Sequence, residues 1–172
     1  NLTTKASGVA SGYMYTIDVK TGSMKNVLGP KKGLSGKMSR DLSKILYSTK
    51  NGSNFLTYIL NIKAGSSDSV VFKTLADKCV WSTLNKDDLY CGVPTDIPDG
   101  IYPDDWYMGK VSFSDQIWHL NTTTGEVHLI ANLLQLSNSI IDSTNLTIDK
   151  TEETLYFINK NDLSLWALDL NQ

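Results

Sequence analysis

Residues able to do chemistry are few in this 172-residue chain, and they fall in three places. Cys79 and Cys91 flank a polar stretch centred on Asn85–Asp88 that reads as a hairpin turn. Counting back from that turn brings the two thiols within about two residues of direct opposition. A cross-strand or diagonal disulfide is therefore geometrically open, the alternative being two buried free thiols. If formed, the bond closes a short loop and contributes roughly 2–3 kcal/mol. His119 and His128 flank a second turn and have the register of cross-strand neighbours, which suits either a chelating or pH-sensitive pair or two solvent-facing polar residues. The third place is the stretch from Pro94 to Tyr107, which collects three of the four prolines, the acids Asp96, Asp99, Asp104 and Asp105, and Trp106 and Tyr107. Long ordered loops carrying Trp and Tyr bind partners, so Asp104, Asp105, Trp106 and Tyr107 are the candidate partner-binding residues. The competing reading has the aromatics pinning the loop and the aspartates capping turns. Calcium is a weaker option, because the aspartate spacing matches no known calcium loop.

Other chemistries find no support. Two cysteines do not complete a tetrahedral zinc site, and the histidines lie a strand pair away from them, so no metal site and no cofactor is expected. There is no Gly-x-Ser-x-Gly elbow, no glycine-rich phosphate loop and no His-Glu-x-x-His. The acidic pairs Asp87-Asp88 and Glu152-Glu153 fall in predicted hairpin turns, where solvated carboxylates are ordinary. A formal net charge of −2 excludes a phosphate-bound nucleic-acid partner, and Arg40 is the single arginine, which excludes an arginine cluster for anions. Apolar runs as short as Val70-Val71-Phe72 do not cross a bilayer as a helix, so any membrane anchor is expected outside this segment.

The elements that must position these residues follow from internal repetition. Tyr15-Thr16-Ile17-Asp18-Val19-Lys20-Thr21-Gly22 is echoed by Ile59-Leu60-Asn61-Ile62-Lys63-Ala64-Gly65 and by Trp118-His119-Leu120-Asn121-Thr122-Thr123-Thr124-Gly125, and it begins again at Leu165-Trp166-Ala167-Leu168-Asp169. Each copy reads as a strand, an Asp or Asn that opens a turn, and a Gly able to take positive φ. A second marker, a polar turn leading into a strand with Leu-Tyr, recurs at Leu46-Tyr47, Leu89-Tyr90 and Leu155-Tyr156. Asp18 to Asn61 and Tyr47 to Tyr90 are both 43 residues, and the next intervals stretch together to 60 and 66, which places one insertion at about 92–112. Strand hairpins are predicted at 57–62 with 69–74, 79–82 with 88–93, 115–120 with 126–131 and 144–149 with 154–159. Helix is nearly absent. The best candidate, 131–139 with Leu133, Leu134 and Leu136, reads as a strand and its connecting loop.

Four-stranded units of about 43 residues in series make an all-β β-propeller, each blade a twisted antiparallel sheet that buries its faces only against its neighbours. The predicted organisation is a partial blade at 1–30, a blade at 34–75, a blade with the insertion at 78–134 and a partial blade at 143–172. About three and a half blades do not close a ring, so closure is expected from remaining blades of a larger propeller or from a second copy.

The blade pattern resembles the TolB-like and WD-repeat-like β-propellers of bacterial surface and periplasmic proteins, although no Gly-His opens a blade and no Trp-Asp closes one. The run from Lys78-Cys79-Val80-Trp81-Ser82 through Tyr102-Pro103-Asp104-Asp105-Trp106-Tyr107 to Gln116-Ile117-Trp118 resembles a group of uncharacterised propeller proteins from candidate-phylum bacteria. The resemblance implies an extracytoplasmic location, at the cell surface or secreted. The function expected from it is a non-catalytic scaffold that binds a protein or a surface polymer. Two alternatives stand beside it: the propeller portion of a larger enzyme, and a structural surface subunit assembled through free strand edges.

Overall fold

The computed structural model describes residues 2–171, arranged as four antiparallel sheets in chain order. The first holds β1 (Leu2–Thr3), β2 (Ser11–Ile17) and β3 (Met24–Lys32). The second holds β4 (Ser35–Met38), β5 (Lys44–Asn51), β6 (Asn54–Asn61) and β7 (Ser66–Ser69). The third holds β8 (Cys79–Trp81), β9 (Asp88–Pro94), β10 (Asp115–Asn121) and β11 (Val127–Asn132). The last holds β12 (Ser143–Ile148), β13 (Thr154–Asn159) and β14 (Leu165–Asp169). Within each sheet every strand pairs with its neighbour in sequence, the up-and-down order of propeller blades.

The repeated Asp/Asn-to-Gly signature acts as a turn device. Asp18 accepts hydrogen bonds from the N–H groups of Lys20 and Thr21, and Asn121 accepts from those of Thr123 and Thr124. Gly22, Gly65 and Gly125 then close their turns at φ of 72°, 69° and 76°, a left-handed conformation in which a Cβ is strained.

Stability comes from the three seams between sheets. Met14, Leu34, Ile45 and Tyr47 fill the first. Leu46, Ile59, Trp81, Leu89 and the two cysteines fill the second. Ile117, Leu146, Leu155 and Phe157 fill the third. Each such side chain contributes about 1.5–3 kcal/mol by burial. At one end of the sheets, polar ties cross the seams: Lys44 Nζ sits 2.6 Å from Asp87 and 2.7 Å from Thr122 Oγ1, and Glu152 accepts from Ser82 Oγ at 2.6 Å and from Leu84 N at 3.0 Å. Burial works against the Glu152 charge, yet these hydrogen bonds hold its carboxyl below the usual range.

Two sequence expectations need correction. Residues 133–137 form a short helix, α2 (Leu133–Ser137), because Asn132 caps its first turn by accepting from Gln135 N and Asn138 ends it at φ 53°. The three Leu-Tyr pairs are also not equivalent. Lys44, Asp88 and Thr154 hold matching places opposite Asn61, Asn121 and Asp169, so Leu46, not Tyr47, is the counterpart of Tyr90 and Tyr156. Tyr47 therefore packs toward the first sheet, stacked on Tyr58, while Tyr90 turns toward the last sheet. The Leu-Tyr pair at 46–47 sits one position further along its strand than those at 89–90 and 155–156, and a shift of one residue exchanges the two faces.

Candidate functional site

The insertion between β9 and β10 is closed at its neck by hydrogen bonds from Thr95 N and Thr95 Oγ1 to the Ser114 carbonyl at 2.9 and 3.0 Å. Its single helical turn, α1 (Asp104–Tyr107), is organised by Asp105, which accepts from Ile101 N at 2.8 Å and pairs with Lys110 at 3.2 Å. The Ile101 N–H, together with Lys110, holds the Asp105 carboxyl below its ordinary value. The insertion reaches beyond its own sheet. Ser53, in the β5–β6 turn, accepts at its carbonyl from Gly100 N and donates from Oγ to Asp99, while Gly8 N, in the β1–β2 loop, donates to the Asp104 carboxylate. A Cβ on Gly8 would stand 2.6 Å from the Tyr102 carbonyl, so that approach requires glycine.

Beneath the insertion lies an aromatic layer of Phe55, Tyr102, Trp106 and Phe113, with Phe55 edge-on to Tyr102 at 5.0 Å and Trp106 stacked near Phe113 at 6.3 Å. Tyr102 donates to the Pro98 carbonyl at 2.6 Å, and burial pushes its hydroxyl up to about 12. Below this layer sit three charges that sequence reasoning did not single out. The side chains of Lys78, Asp115 and Asp142 are fully buried, with Lys78 Nζ 2.7 Å from Asp115 Oδ2 and in contact with Asp142 Oδ1. The Lys78 ammonium also lies 5.2 Å from the ring centres of Trp106 and Phe113. Asp142 Oδ2 accepts from Trp106 Nε1 at 2.8 Å, and Asp115 Oδ2 accepts from Ser143 N and Oγ at 2.6 and 2.7 Å. Two carboxylates share one ammonium, and among the described residues Asp115 Oδ1 has no hydrogen-bond partner. Burial pushes the Asp115 carboxyl up, against the pull of Lys78.

The four expected partner residues thus divide. Trp106 is 2% exposed and is committed to Asp142, which removes it as a contact for a partner in this conformation. Asp104 and Asp105 are tied to Gly8, Ile101 and Lys110. Tyr107 remains accessible at 41%, its hydroxyl donating to Asp77 at 2.7 Å, and burial of that hydroxyl raises its pKa. In the same insertion Ile101 and Met108 are exposed at 45% and 59%. A recess of ≈ 380 Å³ adjoins Tyr107 and Asp77 and is lined also by Thr3, Lys5, Leu34 and Ser35.

Cys79 and Cys91 are direct cross-strand partners and are joined by a disulfide, buried in the second seam next to Lys78. His119 and His128 are likewise opposed, with ring centres 6.1 Å apart, but each faces its own carboxylate, Asp88 and Glu126 respectively. Among the described residues no group of three or more His, Cys, Asp or Glu converges as metal ligands do.

A sheet order that follows the chain, blades stacked face to face, and turns alternating between two ends decide the architecture. The fold is that of a TolB-like β-propeller. Over 94% of its length the chain superposes on TolB from Acinetobacter baumannii, with a TM-score of 0.63 at 14% identity and 36% of that protein covered. Hydrazine synthase of Kuenenia stuttgartiensis matches over 92% of the chain with a TM-score of 0.64 at 15% identity, 46% of it covered. Oligogalacturonate lyase from Vibrio parahaemolyticus matches over 91% with a TM-score of 0.52 at 13% identity, 41% of it covered. The chain thus spans less than half the length of these three structures. No protein-family model and no curated protein sequence matches it. The propeller arrangement hosts enzymes and non-enzymes alike, so function must be argued from the site.

Proposed function

We propose that this propeller is an extracytoplasmic scaffold, non-catalytic, that binds a protein or a surface polymer through its insertion. The observation that carries this reading is the pairing of exposed Ile101, Tyr107 and Met108 with a base locked by Trp106, Asp142 and Lys78. A rigid apolar platform loses little conformational freedom on binding, so more of the contact energy appears as affinity. Tyr107 is the anchor type that dominates such contacts, and Asp104, Asp105 and Trp106 act as positioning residues beneath it. The adjoining recess at Asp77 and Lys5 supplies polar groups of both signs beside the apolar platform. The Cys79–Cys91 disulfide supports a location outside the cytoplasm, where such bonds persist.

The experiment is capture from extracytoplasmic and cell-wall fractions by the purified protein and by an Ile101→Ser, Met108→Ser variant. Both substituted residues are exposed, so the variant keeps its fold. Loss of a captured protein or glycan by this variant supports the reading. An unchanged capture profile rejects the insertion as the binding surface.

A further inference from the structure

We propose a second binding site, which shares no residue with the insertion: the groove between the first and second sheets takes a linear acidic polysaccharide. The near-neutral total charge hides a segregation. Residues 1–75, the first two sheets, hold eleven basic residues against three acids, whereas residues 76–172 hold five against fifteen. Among the described residues Lys44 alone of those eleven forms an ion pair. Two of the three acids are engaged in turns, Asp18 by the N–H groups of Lys20 and Thr21 and Asp41 by the hydroxyls of Ser39 and Ser43. The first two sheets therefore present ammonium groups without counter-charges, and such a field draws polyanions.

The groove, of ≈ 430 Å³, is walled by β3 and by the β6–β7 hairpin. Lys25 and Lys31 both line it, six residues apart on β3 and so separated by about 20 Å of extended chain. Lys31 is held in place, its ammonium 5.4 Å from the centre of the Tyr47 ring. The rest of the lining includes apolar Leu28, Leu60 and Ile62, with Asn26 and Ser67 as hydrogen-bonding groups. Asp68, the third acid, follows Ser67 on β7 but lines a different recess, because successive strand residues face opposite ways. This lining selects the occupant. Sugar rings rest their apolar faces on such a floor and direct hydroxyls to the amide and the serine, while acid groups on separate sugars meet the separated ammoniums. Lysine is a point charge that suits single, spaced anions, and the groove has no arginine to grip paired oxygens. No aromatic side chain lines it for nucleic-acid bases to stack on. A groove also admits a chain but not the flat surface of a bilayer. The acid-rich last two sheets, with the aspartates of the insertion, repel the same polymer and confine it to the cationic side.

The test measures binding of the full chain to immobilised carboxymethylcellulose by interferometry, with hydroxyethylcellulose as the uncharged polymer of the same backbone. Saturable binding to the first alone is expected, weakening as salt is raised. Lys25→Gln with Lys31→Gln should weaken it about threefold or more. Ser67→Glu leaves both lysines in place and sets a carboxylate in the groove, and it should weaken binding similarly, so the result does not hang on one variant folding. Lys86→Gln with Lys150→Gln makes the same change in net charge on exposed residues of the last two sheets and should leave binding unchanged. Absence of saturable binding, or equal weakening by the two glutamine pairs, overturns the proposal. So does binding to polyglutamate as tight as to carboxymethylcellulose, because the sugar rings then contribute nothing. Preferential binding to phosphatidylglycerol vesicles also overturns it, since the cationic face is then a membrane contact.

Discussion

Replacing Lys78 with Met tests whether the buried charges hold the insertion and the last seam together. The methionine fills a similar volume but leaves Asp115 and Asp142, both fully buried, without their shared cation. Breaking a buried ion pair by removing one partner costs about 3–5 kcal/mol. For a domain of this size each kcal/mol moves Tm by roughly 2–4 °C, so the melting point should fall by about 6–20 °C. The deficit should shrink as pH falls, because the stranded carboxylates then bind protons. Adding Asp115→Asn and Asp142→Asn to Lys78→Met removes the uncompensated charge while leaving acceptors for Ser143 and Trp106, and should restore most of the loss. Urea and thermal unfolding at pH 7 would measure all three proteins. A Lys78→Met variant within about 1 kcal/mol of the parent, the worth of a surface pair, would refute the reasoning. So would a triple variant no more stable than the single one.

Other expectations rest on different parts of the molecule. Intact mass should differ by two hydrogens with and without reductant, and Cys79→Ala with Cys91→Ala should cost about 2–3 kcal/mol in chemical unfolding. Gly92→Ala would bring a Cβ to 2.0 Å from Ser143 Oγ, so it should destabilise by roughly 1–3 kcal/mol, with partial recovery on adding Ser143→Ala. Two carboxyls should shape the pH profile in opposite senses. Asp115 has its folded pKa raised above 3.8, so its contribution is fully present below that value and lost as pH rises; Asp115→Asn should gain on the parent as pH increases. Glu152 has its folded pKa lowered below 4.5, so its contribution is present above that value and lost as pH falls; the disadvantage of Glu152→Gln should disappear in acid.

The repeating Asp/Asn-to-Gly turns were legible because each needs a side-chain acceptor and a left-handed residue at fixed spacing, and few sequences satisfy both by chance. The opposition of Cys79 and Cys91 was legible to within two residues because a hairpin propagates register from its turn. Tyr47 was misaligned because a Leu-Tyr dipeptide does not carry its own register: placed one position later in the strand, the same pair faces the opposite ways. The α2 segment looked like a loop because five residues carry too little periodicity, and its decisive features are the Asn132 and Asn138 caps. Lys78, Asp115 and Asp142 come from three places far apart in sequence, and nothing local marks them as partners. The available signal was a lone acid set beside interior residues, as in Ile140-Ile141-Asp142-Ser143 and Phe113-Ser114-Asp115, where a buried charge demands a counterion from elsewhere. Trp106 drew attention as a surface anchor for its residue type, but an indole N–H with a buried acceptor within reach is equally satisfied inside.

In the proposed scaffold, recognition would lie on the exposed crown of the insertion, above its rigid base. Capture from extracytoplasmic fractions by the parent, by Ile101→Ser with Met108→Ser, and by Leu129→Ser with Ile130→Ser on exposed β11 tests that division directly. The expected result is a protein or glycan held by the parent and the β11 variant and lost by the crown variant, with all three unfolding at the same temperature. Equal capture by all three would contradict the account.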